Sequence, residues 1–157
     1  MRNFLLYISI MFPAIAGAQS LSVNSGWQTV LDATLISQAG RDYDEDLFSQ
    51  SNQTLLDLKD LNNGTYTVSV HKIDIDWDPN LELSVQRTGT GTGNPNIIPT
   101  GGLTFLPIGN SPQPFLFVSV GGGKNYNNIP LQYRLKGMSV TMEVKNHTTT
   151  VVYTITN

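Results

Sequence analysis

The side chains able to move a proton near neutral pH are His71 and His147, the two histidines of the chain. His71 lies in an alternating apolar stretch and His147 in a turn beside Asn146. Neither stands in a spacing that suggests a Ser-His-Asp grouping, although such groupings are defined by geometry and not by order along the chain. Carboxylates are more concentrated. Asp42, Asp44, Glu45 and Asp46 crowd one polar stretch. They offer the hard oxygen ligands that calcium takes, so Asp42, Asp44 and Asp46 are candidate metal ligands and calcium is the cofactor to consider. The plainer reading is a solvated loop. Paired acids such as Asp42 and Glu45 would also suit a glycoside hydrolase, but the carboxyl separation that chemistry needs is not set by spacing in sequence. Asp74, Asp76 and Asp78 have the start of an EF-hand loop, yet Pro79 stands where that loop needs glycine and Val85 where it needs a bidentate glutamate. Asp74 and Asp76 read instead as the exposed face of one strand, opposite Ile73, Ile75 and Trp77.

Two glycine runs, Gly89-Thr90-Gly91-Thr92-Gly93 and Gly121-Gly122-Gly123-Lys124, fail as phosphate cradles because no helix signal follows the first and the second lacks its upstream glycine. They read as connecting loops. Asn63-Gly64-Thr65 and Asn146-His147-Thr148 match the N-glycosylation acceptor pattern, which has meaning only in a eukaryotic secretory pathway. Trp27, Tyr43, Trp77 and Tyr126 sit near loops or strand ends, where sugar rings stack on aromatic faces. Trp27 and Tyr126 are therefore the candidate ligand-binding residues, while Trp77 continues the apolar parity of Ile73 and Ile75 and reads as core.

These groups must be positioned outside the cytoplasm. Met1-Arg2-Asn3 gives a positive start, an apolar run extends from Phe4 to Ile15, and Ala16-Gly17-Ala18 supplies the small-x-small pattern of a signal-peptidase site. Residues 1–18 are expected to be a signal peptide, and residues 19–157 a single β-sandwich domain secreted to the periplasm, cell surface or medium. The run is too short to span roughly 30 Å of hydrocarbon, and no later run is longer, so no membrane span is expected. The chain has no cysteine. Core packing and strand pairing must then stabilise it without the disulfides that small secreted domains commonly use. With Lys+Arg at 9 against Asp+Glu at 12, a nucleic-acid partner is not expected.

Apolar residues alternate at period two between Gly, Pro and Asn punctuation, which reads as strands. Leu21 and Val23 form a short start; Leu56 and Leu58, then Tyr66 to Trp77, Leu81 to Val85, Leu103 to Ile108, Phe115 to Val120, Leu131 to Leu135, Met138 to Val144 and Val151 to Ile155 follow. Asn62-Asn63-Gly64 signals a reversal. Apolar parity switches after Val70, which predicts a β-bulge near His71-Lys72. It switches again at Gly137. Phe115 to Val120 is apolar on both parities, as in a strand covered on both faces. The expected class is all-β: an antiparallel β-sandwich, immunoglobulin-like or pilin-like, of about eight or nine strands.

The closing Tyr133-Arg134-Leu135-Lys136-Gly137 and Thr148-Thr149-Thr150-Val151-Val152-Tyr153-Thr154-Ile155-Thr156, with the leader and the Gly/Asn/Thr-rich strands, resembles small secreted pilin-like proteins of the spore coat protein U and fimbrial-subunit type. That resemblance implies an exported sandwich assembling on a surface by strand donation. The missing disulfide and Thr156 at the penultimate position depart from the fimbrial pattern. The resulting expectation is a non-enzymatic, structural or adhesive surface protein, a homo-oligomer or partner of other surface proteins, self-associating through an exposed strand edge. Leu21 and Val23 are its strand-donor candidates. The alternative is a secreted carbohydrate-binding module with a glycan partner, assisted by calcium.

Overall fold

The computed structural model describes residues 19–31, 43, 46–93, 97–121 and 125–157. The leader, Asp42, Asp44 and Glu45 lie outside the described residues. β-branched and aromatic residues on alternating positions favour pleated, half-buried surfaces, and the described residues form strands without a helix. They are β1 (Ser20–Val23), β2 (Leu47–Phe48), β3 (Thr54–Lys59), β4 (Gly64–Asp76), β5 (Glu82–Arg87), β6 (Thr92–Gly93), β7 (Ile97–Gly101), β8 (Leu106–Pro107), β9 (Gln113–Val120), β10 (Tyr126–Lys136) and β11 (Thr148–Thr156). The larger sheet runs β1-β3-β10-β5-β8, with β2 and β6 also paired to β10; the smaller runs β11-β4-β9-β7. Every pairing is antiparallel.

The two sheets face each other across one main core. Tyr66, Val68 and Val70 from β4 and Leu116 and Val118 from β9 meet Leu56, Leu58, Val85, Ile129 and Leu131 from the larger sheet, all of them fully buried. Each such side chain contributes about 1.5–3 kcal/mol by leaving water, and this packing does the work that disulfides do in many exported domains. Tyr133 and Tyr153 join the sheets through their hydroxyls, 3.1 Å apart. Burial, and then the neighbouring Tyr133, pushes the Tyr153 phenol well above its ordinary value. A second, smaller cluster gathers Leu81, Leu135 and Met138, with Trp27, Leu31, Tyr43, Leu47, Trp77 and Met142 packed against it.

Several expectations are corrected here. β4 has no bulge at His71-Lys72: it stays in register with β11 from Thr67 to Asp74 and keeps its alternation, so Lys72 takes the inward position. The long stem of Lys72 tolerates that position, and its ammonium is held by both carboxylate oxygens of Asp74, at 2.6 and 2.5 Å. Ile73, next along, therefore faces out at 53% exposure, and Ile75, the extra residue where β4 shifts register between Asp74 and Asp76, is 70% exposed; the open end of β4 thus carries isoleucines as well as the exposed aspartates. Register shifts occur elsewhere, between Thr148 and Thr149 against β4 and between Val68 and Ser69 against β9. The second shift lets consecutive Phe115 and Leu116 both turn inward, while Phe117 is 43% exposed; β9 is open on one face.

Other differences follow from turn chemistry. Met138 to Val144 is not a strand. Gly137, at φ +80°, turns the chain so close to the carbonyl of Asn80 that a Cβ would lie 2.0 Å from its oxygen. Asn62-Asn63-Gly64 is no hairpin turn but part of a crossover between sheets, whose positive-φ residues are Asp60 and Gly64. β7 lies inside Gly89 to Gly102, a Gly/Thr/Asn/Pro-rich stretch that reads in the sequence as one long loop because Pro99 masks the strand.

Candidate functional site

One end of the sandwich, beside the smaller cluster, holds a cavity of about 790 Å³. Its position follows from two segments that leave the sheets there. Residues 24–27 continue from β1 and are fastened to β3: the Asn24 amide donates to Leu55 O at 3.3 Å, Asn24 Oδ1 accepts from the Leu55 amide at 2.8 Å, and the Gln53 amide group donates to Gly26 O at 2.8 Å. Buried Thr54 donates to Ser25 O at 2.6 Å. That strip delivers Trp27 against Tyr133, with the rings parallel within 5° and centroids 6.3 Å apart. The second segment is the turn after Gly137, where the Met142 amide donates to Ser139 O at 3.1 Å.

The wall is apolar and aromatic, made by Trp27, Tyr133, Trp77, Leu83, Met142 and Val151. Trp77 is fixed by its indole N–H, which donates to Leu81 O at 2.9 Å, and by Lys72, whose ammonium lies 5.6 Å from the ring centroid. The rim is polar. Lys145 bridges Asp76 at 2.7 Å and Glu143 at 3.1 Å, and hydrogen bonds to those carboxylates, Asp76 first, raise its pKa. His147 lies on the same rim with Nε2 3.2 Å from the Glu143 carbonyl oxygen. An aromatic floor beneath charged and hydroxyl groups suits a ligand that is apolar on one face and hydrogen-bonding on the other.

The structure separates the candidates that the sequence grouped. Trp27 lines the cavity. Tyr126 does not: it opens β10, is 6% exposed, and packs in the main core. It stands roughly 23 Å along the strand from Tyr133 at about 3.3 Å per residue. A ring so buried offers no face for a sugar. Asp46, the metal candidate among the described residues, has its carboxylate 3.6 Å from Lys136 Nζ and 3.9 Å from Arg134 Nε. Asp42 and Asp44, grouped with it as metal candidates, lie outside the described residues. His71 sits on the outer face of the smaller sheet opposite Val152, and its Nδ1 is buried with no hydrogen-bond partner among the described residues. Tyr133 and Trp77 are the cavity residues that sequence reasoning assigned to the core; their parity is that of core residues, and nothing in the pattern marks a void beside them.

The strand-donor candidates also have a definite place. Leu21 and Val23 belong to β1, which pairs with β3 of the same chain, Leu21 opposite Leu58 and Val23 opposite Leu56. Leu21 packs against the main core. Of the sheet edges, β1 is short, β8 is short and carries Pro107, and β7 carries Pro99. β11 differs: nine residues, Thr-Thr-Thr-Val-Val-Tyr-Thr-Ile-Thr, with neither charge nor proline. Among the described residues no strand pairs with its far side. Comparison with protein-family models, with curated proteins and with solved structures finds no match to this chain. No helix among the described residues is long and apolar enough to cross a membrane.

Proposed function

We propose that the protein is an exported structural or adhesive surface protein that self-associates by pairing strand edges. The observation that carries this reading is β11, a nine-residue edge without the charges, prolines or brevity by which sheet edges are ordinarily kept from pairing. β1 is held on β3 of its own sheet and presents an edge of four residues, so β11 rather than the N-terminal segment is the long edge that offers free backbone groups. Export follows from the leader pattern of residues 1–18. Thr154→Pro and Ile155→Pro test the edge together. Successive residues of a strand point their N–H groups to opposite sides, so one of the two amides faces away from β4. The variant that retains the β-sheet circular dichroism should lose the higher oligomers that the parent forms in size-exclusion with light scattering. A monomeric parent would defeat the proposal.

The end cavity favours a second reading, a carbohydrate-binding module. Its stacked Trp27 and Tyr133 above a rim of Lys145, Glu143 and His147 match the amphipathic faces of a sugar. Glycan-array binding that disappears in Trp27→Ala supports it; a blank array rejects it.

A further inference from the structure

We infer that the outer face of the smaller sheet is a second self-association surface, covered by the same face of another copy of this chain. Register fixes which side chains share that face. Thr150 opposes Ile73, Val152 opposes His71, Thr154 opposes Ser69, and Thr156, Thr67 and Phe117 form one row across β11, β4 and β9. Ile73 and Phe117 are exposed there, and Ile75 is exposed at the register shift that ends the face. From Thr65 to Ile73 on β4, from Thr150 to Thr156 on β11 and at Phe117 and Ser119 on β9, the outward residues include no Asp, Glu, Lys or Arg; the Asp76–Lys145 ion pair marks the border.

The larger sheet is built differently. Its outer face carries Glu82, Arg134 and Lys136, with Asp46 beside them, in ion pairs. One face is thus dressed for water and the other is not, although exposed β-branched and aromatic residues on a sheet face invite association unless charges interrupt them. The occupant follows from charge and symmetry. The chain carries a formal net charge of −3, so two copies repel over most of their surfaces, and an uncharged face is where they approach without facing like charges. Threonine and serine hydroxyls both donate and accept, so a patch made of them is complementary to itself, as a two-fold interface requires. With strands about 4.8 Å apart and about 3.3 Å per residue, the face covers on the order of 500 Å² per copy, about 1,000 Å² for the pair. That is the lower bound of specific interfaces and corresponds to a reversible pair. The same argument explains why the aliphatic pattern of β4 continues past Lys72 onto the outside.

This inference rests on the reading that the chain self-associates but not on β11 as the contact. Sedimentation of the exported protein over a concentration series, with Ile73→Lys/Ile75→Lys beside the parent, should give a dimer weakened at least tenfold in the variant. Both positions are exposed, so the variant should fold, as circular dichroism would verify. Because the chain lacks cysteine, Thr67→Cys and Ser69→Cys report the geometry directly. Copies paired through their β11 edges keep their β4 strands about 14 Å apart with these side chains pointing the same way, whereas sheets stacked face to face about 10 Å apart aim them at each other. Cross-linking at β4 by a short bifunctional thiol reagent supports the face. A dimer indifferent to the lysines, not cross-linked at β4 and abolished by the β11 proline variant overturns the face and leaves the edge standing; a monomer at every concentration overturns both.

Discussion

Lys72 and Asp74 illustrate how single residues decide what a pattern means. A lysine at an inward position reads in the sequence as a break in alternation, because its charge hides a stem that packs like an aliphatic chain. Asp74 makes the position tolerable. Partial desolvation pushes its carboxyl up, but hydrogen bonds from Lys72, Asn110 and Thr149 outweigh this, and its pKa is lowered. A carboxyl that is more acidic folded than unfolded holds fewer protons in the folded state. Its stabilisation is complete above the unfolded value, near 3.9, and is lost as the pH falls through the folded value. Urea midpoints of the parent and Asp74→Asn should therefore differ by a constant amount above about pH 5 and converge below about pH 4. A difference that grows on acidification would contradict the hydrogen-bonded assignment.

At the level of elements, strands with strict alternation were legible and their interruptions were not. β3, β4, β5, β10 and β11 fall where the apolar period places them, since half-buried strands must alternate to bury one face. β7 was hidden by Pro99, and Met138 to Val144 alternates without a strand because Gly137 turns the chain out of the sheet at the end of β10. Val144 is consequently fully exposed. Gly137 ends β10 by a backbone conformation that L side chains avoid, against Asn80. Gly137→Ala should cost about 1–3 kcal/mol, read as a lowered urea midpoint with an unchanged slope. An unaffected midpoint would mean that the turn relaxes freely.

Across the whole molecule, two cores of unequal size imply unequal local stability. The main core is closed by long strands from both sheets, whereas the smaller cluster is roofed by residues 24–31 and 137–147, which belong to no strand. Segments with few buried contacts open first. Hydrogen exchange should deprotect 137–147 at low free energy while β4 and β10 exchange only on global unfolding; equal protection would show that the cavity end is as rigid as the core. The residue period, the absence of cysteine and the spacing of turn residues sufficed to specify an antiparallel sandwich, because alternation and reversal are local properties of the chain. Which candidates meet was decided by long-range pairing. Hydrogen bonds to β3 brought Trp27 to Tyr133, and strand register buried Tyr126, seated β1 on β3 and left Ile73 facing outward; both depend on pairings between residues far apart in sequence, which local composition does not encode.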